Sequence, residues 1–136
     1  MVTDPIADFL THIRNSYMAG RQTVEISHSN VKENLAQLLK KEGYIQDVKI
    51  KDQRSKHDKA DLKILEIELK YTDNKPAIET IKRVSTPGRK FYVNKKEIPS
   101  VLSGYGTAVI STSNGLITGT EARRQHVGGE VICYIS

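Results

Sequence analysis

The sequence predicts an α+β fold made of two small lobes, one over residues 1–75 and one over residues 76–136. Three observations carry this expectation. Apolar residues recur at helical spacing near the N-terminus, at Ile6, Phe9, Leu10, Ile13 and Tyr17. Short runs then alternate apolar and polar residues, as strands with one buried face do. After Pro76 the helical pattern gives way to brief apolar runs separated by Pro-Gly, Gly-Tyr-Gly, Asn-Gly and Gly-Gly breaks. The first lobe reads helix, strand, helix, strand, strand; the second is mostly β with short helices.

In the first lobe, Asp4-Pro5 supplies a capping side chain and a proline at the first helical position. Gly20 closes that helix. Thr23–Ser27 predicts a strand with Val24 and Ile26 inward. Asn30-Val31-Lys32-Glu33 resembles a capping box for a second helix that buries Leu35, Leu38 and Leu39 and stops at Gly43. Tyr44–Ile50 predicts a strand. Residues 51–61 hold seven charged residues in eleven, with no periodicity, and read as a loop or hairpin tip. With no apolar anchor there, shortening residues 52–60 to a tight turn is expected to spare the fold. Leu62–Lys70 returns as a strand whose alternation slips at Ile64-Leu65, predicting a bulge. Tyr71–Pro76 reads as a turn at the lobe boundary.

In the second lobe, a strand over Ile78–Val84 leads to the turn Ser85-Thr86-Pro87-Gly88 and a short strand at Phe91-Tyr92. Ile98–Leu102 predicts one helical turn before Gly104-Tyr105-Gly106. A strand over Thr107–Ser111 meets Asn114-Gly115, a strong hairpin signal. Thr118-x-x-Glu121 is a capping box for a short helix that Gly128-Gly129 breaks, and Val131–Ile135 is the last strand.

Charge narrows the class of partner. The net charge is +5. Residues 1–75 hold 13 basic and 12 acidic side chains, whereas residues 76–136 hold 8 and 4. Lys82, Arg83, Arg89, Lys90, Lys95 and Lys96 follow one another with no acid between them. A polyanion is the natural partner of such a stretch, and a plain solvated surface is the other reading. No run of 18 apolar residues exists, and the first residues lack the basic-then-apolar pattern of a leader. With Cys133 the only cysteine, the chain is expected in a reducing compartment, cytosolic or inside an organelle.

Catalytic chemistry finds no support. Gly104-Tyr105-Gly106 lacks the third glycine of a dinucleotide fingerprint, and no phosphate loop ends in Gly-Lys-Ser/Thr. Ser111 and Ser113 are not in a nucleophile elbow. His12, His28, His57 and His126 lack metal-ligand spacing, so neither metal nor cofactor is expected. Cys133 lies in an apolar strand and reads as a buried, inert thiol.

Binding chemistry is present in two places. Ser111-Thr112-Ser113-Asn114-Gly115 puts three hydroxyls and an amide at a hairpin tip, each hydroxyl able to donate and accept. Such groups suit the 2′-hydroxyls, phosphates and open base edges of RNA, and they equally suit plain turn chemistry. Ser85-Thr86-Pro87-Gly88-Arg89-Lys90-x-Tyr92 joins a rigid turn to two bases and an aromatic. Arg89 and Lys90 fit phosphate contacts. Tyr92 fits either base stacking or a half-buried strand position.

Taken in order, these pieces resemble one family. Asp4-Pro5-Ile6-Ala7-Asp8-Phe9-Leu10-Thr11-x-Ile13-Arg14-Asn15 is similar to the opening of bacterial small-ribosomal-subunit protein eight. Ser111-Thr112-Ser113-x-Gly115, Glu121-Ala122-Arg123 and Val127-Gly128-Gly129-Glu130-Val131-Ile132-Cys133-Tyr134 resemble that family's C-terminal signature. The resemblance implies two tightly associated α+β lobes, direct binding to a helical region of the 16S rRNA central domain, a role in subunit assembly, and neighbouring small-subunit proteins as partners. It implies a ribosome-bound location. It places the RNA contact on Ser111, Thr112 and Ser113, flanked by Pro87, Gly88, Lys90 and Tyr92, with Gly128, Gly129 and Glu130 as the other wall. Beside a polyanion, Glu130 would accept from base amino groups or a 2′-hydroxyl. Thr3 and Arg14 would add contacts from the N-terminal end. The sequence departs from the family at Thr86, where Arg or Lys is usual, and at Arg89, where Leu is common. The alternative function with the same surface is a free regulator that binds mRNA and represses its own operon.

Overall fold

The computed structural model describes residues 4–53, 62–98 and 106–136. The chain is α+β, as the patterning predicts, and it divides into two compact units. One comprises residues 5–77 and the other residues 1–4 with 78–136.

In the first unit, Pro5 opens α1 (Pro5–Met18), which buries Phe9, Leu10, Ile13, Ser16 and Tyr17. Gly20 beyond its end takes φ +70°, a conformation that glycine adopts without strain. β1 (Thr23–Ser27) points Val24 and Ile26 inward, as expected. The N-cap of α2 (Asn30–Lys41) is Ser29, not Asn30: its side chain accepts from the Lys32 N–H at 3.2 Å. Glu33 turns instead to His28, 2.9 Å away. Leu35, Leu38 and Leu39 are buried on the inner face, and Gly43 at φ +82° ends the turn.

β2 (Asp47–Gln53) starts and ends three residues later than the sequence predicts. Tyr44 is held out of the strand because its N–H donates to the Leu39 carbonyl at 2.8 Å and its own carbonyl accepts from the Tyr17 hydroxyl at 2.6 Å. At the other end, Lys51, Asp52 and Gln53 pair with Ile64, Lys63 and Leu62 of β3 (Leu62–Glu68). They form a charged edge strand and not a loop, with Lys51 bridged to Glu66. Charge is a common way to protect a sheet edge. A deletion of residues 52–60 would therefore cut into the ladder; residues 54–61 lie outside the described residues.

No bulge interrupts β3. Its register runs unbroken against β1 on one side and β2 on the other, giving the sheet order β1-β3-β2. Leu65, Ile67 and Leu69 keep strict alternation into the core, and the extra apolar residue, Ile64, lies on the outer face, half-buried. Tyr71–Pro76 is more than a turn. β4 (Tyr71–Thr72) and β5 (Lys75–Pro76) pair across Asp73-Asn74, whose φ values of 52° and 64° make a type I′ turn.

One polar device ties the two helices together. Lys32 is buried, and its ammonium donates to the Asp8 carboxylate at 2.8 Å and to the Ser27 hydroxyl at 3.2 Å. The hydrogen bond from Lys32 holds the Asp8 carboxyl below its ordinary 3.8. A depressed carboxylate pKa stabilises the fold above the unfolded pKa, and that contribution disappears as pH falls through the folded value. Asp8→Asn should therefore lower stability at neutral pH, and the difference from the parent should shrink below pH 3.8. Urea unfolding midpoints across that range check it.

In the second unit, β6 (Ile81–Arg83) is shorter than the predicted Ile78–Val84. The N–H groups of Glu79 and Thr80 both turn to the Ser136 carbonyl, and those of Val84 and Ser85 to the Ile132 carbonyl. β7 (Tyr92–Val93), β8 (Thr107–Thr112), β9 (Gly115–Thr118) and β10 (Gly129–Ile135) complete the sheet. Its order is β6-β10-β8-β9, with β7 paired to β10 on the same edge as β6. A bulge lies in β10, between Val131 and Cys133. Ile98, Ala108, Ile110, Ala122 and Val131 form a core cluster on one face. Ile98 is buried and not helical; the rest of the predicted turn, from residue 99, lies outside the described residues, as do Gly104 and Tyr105.

Candidate nucleic-acid interface

Register places the candidate residues before any side-chain detail is needed. Glu130 of β10 pairs with Tyr92 of β7 on one side and Ser111 of β8 on the other. Paired residues project from the same face of a sheet, so Tyr92, Glu130 and Ser111 form one row across three strands. The next residues, Val131 and Ile110, point to the opposite face and into the core. The Ser-Thr-Ser hairpin and the Gly-Gly-Glu segment thus meet at one end of the sheet, where β8 ends and β10 begins.

Two glycines make this convergence possible. A Cβ on Gly129 would collide with the Ser111 carbonyl oxygen and lie 3.2 Å from Ile110 Cγ2. A Cβ on Gly128 would collide with the Val93 carbonyl oxygen and lie 2.8 Å from Asn94 Cα. The pair enters β10 between β7 and β8 because neither residue has a side chain. These glycines do not break the helix. α3 (Gly119–Gln125) is capped by the Thr118 hydroxyl accepting from Glu121 N–H, as predicted, and it ends at His126 in the left-handed conformation, φ 56°. The Val127 N–H then bonds the Ala122 carbonyl, and the chain turns into Gly128.

The hairpin tip differs from the Asn-Gly turn that the sequence predicts. Thr112 pairs with Gly115, so Ser113 and Asn114 are the central residues, and neither takes a positive φ. Gly115 alone of the three does, at +103°. A type I turn followed by a positive-φ glycine is the three-residue hairpin solution. Thr112 holds it: its hydroxyl donates to the Gly115 carbonyl at 2.9 Å and accepts from the Asn114 N–H at 3.0 Å. The Ser111 and Ser113 hydroxyls take no part in these bonds. Ser113, Asn114 and Gly115 are exposed, while Ser111 and Thr112 are half-buried.

The Pro-Gly turn hangs from the outer edge of β10. Thr86 and Arg89 exchange two backbone hydrogen bonds of 3.0 and 3.1 Å across Pro87-Gly88. Below them Ser85 is wholly buried; its hydroxyl accepts from Phe91 N–H at 2.9 Å and reaches the Phe91 carbonyl at 3.4 Å. In the sequence Ser85 reads as one more turn residue. The only signal of its role is a serine immediately before Thr-Pro-Gly. Thr86 through Lys90 are all exposed, and Tyr92 is 64% exposed. Arg14 is exposed on α1 in the other unit, and Thr3 lies outside the described residues.

Burial pushes the Cys133 thiol up to about 12, so the thiolate nucleophile is not populated at neutral pH. Among the described residues no cluster of His, Cys, Asp or Glu is placed to hold a metal ion. No helix of the described residues is long and apolar enough to cross a membrane.

The chain is a small, basic α+β protein that gathers hydroxyls and glycines at one sheet end and carries its Pro-Gly turn, with Arg89 and Lys90, on the neighbouring edge of β10. The chain belongs to the ribosomal protein S8 family, whose model matches residues 4–136. It is 49% identical over 138 residues to the small ribosomal subunit protein uS8 of Persephonella marina, covering 99% of each chain. It is 53% identical over 136 residues to that of Moorella thermoacetica, covering 98% of this chain and 99% of the other. Proteins of this family are structural components of the ribosome, and the chain is not an enzyme.

Proposed function

We propose that this chain is a structural protein of the small ribosomal subunit and binds 16S rRNA directly through residues 86–90, Tyr92, residues 111–115 and residues 128–130. The observation that carries this is the single row of Tyr92, Glu130 and Ser111, set beside a hydroxyl-rich hairpin and a turn bearing Arg89 and Lys90. The target is a helical region of the central domain with an irregular internal loop, and binding there supports subunit assembly. Neighbouring small-subunit proteins are the other partners, and the location is the cytoplasmic ribosome.

The physical case rests on reach. Serine and threonine hydroxyls touch only groups close to a backbone, so they need a shallow surface carrying hydroxyls. An A-form minor groove offers one, whereas a B-form major groove is deep and has no 2′-hydroxyl. At fixed ionic strength the protein should bind an RNA hairpin with an irregular internal loop more tightly than its DNA analogue or a fully paired RNA. Equal binding to all three would overturn the reading. Co-sedimentation with small subunits, rather than with mRNA alone, separates the ribosomal role from that of a free regulator.

The cations should act differently from the hydroxyls. Replacing Arg89 and Lys90 by Ala should weaken binding to all RNAs alike and lower the salt slope by about 0.7–0.9 for each phosphate that is no longer neutralised. Titrations at three or four salt concentrations check this.

A further inference from the structure

A second feature lies on the outer edge of β10, beside the Pro-Gly turn. Lys82, Arg89, Lys90, Phe91 and Tyr134 line a crevice of about 510 Å³, with Arg83 and Val84 completing its wall. The lining has four cations and no carboxylate. Arg83 is engaged elsewhere, with the Asp4 carboxylate at 3.3 Å and the Ser85 carbonyl. Among the described residues, Lys82, Arg89 and Lys90 hold no acidic partner. Phe91 is 49% exposed, which leaves much of an aromatic ring beside three uncompensated cations.

We infer that this crevice takes an unpaired nucleotide of the bound RNA, the base stacked on Phe91 and the phosphate held by Lys82, Arg89 and Lys90. The inference rests on the RNA-binding reading above and deepens it. An aromatic face flanked by cations matches a nucleotide in both its parts, since every base has a π-face and every phosphate a charge. An acidic peptide would satisfy the cations and leave the ring unused. Paired RNA would present phosphates but no open base. The Phe91 carbonyl accepts from the Val131 N–H at 2.8 Å, so Phe91 extends the line of β7 and alternates with Tyr92. Tyr92 shares its face with Glu130 and Ser111, and Phe91 faces away from them. A single RNA strand can therefore pass over this edge, touching the helical site on one side and the crevice on the other.

The test uses the full chain and two probes at fixed ionic strength, a fluorescent hexauridylate and the RNA hairpin with an irregular internal loop. Phe91→Leu, which keeps apolar volume and removes the ring, should weaken hexauridylate binding about tenfold with melting temperature unchanged. Phe91→Trp should retain or strengthen it, and Lys82→Ala should weaken it with a shallower salt slope. Hexaglutamate should not compete. Hexauridylate binding that is absent, or unchanged by Phe91→Leu, or displaced by hexaglutamate, overturns the inference. The hairpin probe scores the other reading separately. If Ser111→Ala with Ser113→Ala leaves hairpin affinity intact while Phe91→Leu weakens hexauridylate, the hairpin site falls and the crevice stands.

Discussion

Gly129→Ala should lower stability and RNA affinity together. The added methyl would meet the Ser111 carbonyl oxygen, with the Ser111 carbonyl carbon 3.0 Å away. These are backbone atoms in a ladder, so no side chain can swing aside. Either β8 or β10 must move, and the row joining Tyr92, Glu130 and Ser111 comes apart at its centre. Overpacking of this kind costs about 1–3 kcal/mol. Thermal melting and hairpin titration should both show the loss. An alanine variant that melts like the parent and binds like it would mean that the close approach is not needed. Gly128→Ala should behave the same way, through Val93 and Asn94.

The three hydroxyls at the hairpin should separate on substitution. Ser111→Ala with Ser113→Ala should cost affinity, by roughly 0.5–1.5 kcal/mol for each hydrogen bond removed, and leave melting unchanged. Thr112→Ala should cost both, because its hydroxyl bonds the Gly115 carbonyl and the Asn114 N–H inside the turn. Thr112→Ser keeps that hydroxyl and should restore the turn. Equal melting losses for the double serine variant and Thr112→Ala would contradict this division. So would unchanged affinity in the double serine variant.

Legibility followed the range of the interactions. The faces of α1, β1 and α2 were readable because burial imposes a period on consecutive residues, as at Phe9, Ile13 and Tyr17 or Val24 and Ile26. The fold departs from the local pattern where a partner distant in sequence decides. Lys51–Gln53 looked like loop by charge, yet a neighbouring strand completes their hydrogen bonds. Ile64 looked like a register slip, yet two flanking strands hold the register fixed. The candidate site was legible residue by residue, whereas its assembly was not. That Glu130 lies between Tyr92 and Ser111 is a fact of pairing between strands 19 or more positions apart, and no local pattern encodes it. The Phe91 crevice has no local signature for the same reason, since Lys82 and Tyr134 come together as partners across β6 and β10.

The buried hydroxyl of Ser85 has a consequence for the kinetics of binding. It closes residues 86–90 at the neck, and the Thr86–Arg89 bridge closes them again nearer the tip. A loop fastened twice has little conformational freedom left to lose when a ligand arrives, so its ordering adds little to the cost of association. Encounter with RNA under the proposed reading is then governed by charge and diffusion, and charge-conserving variants within the loop should differ mainly in how fast the complex falls apart. Ser85→Ala would loosen the neck without touching any exposed group. Its signature would be a slower approach to the bound state, with the loop having to find its shape after contact.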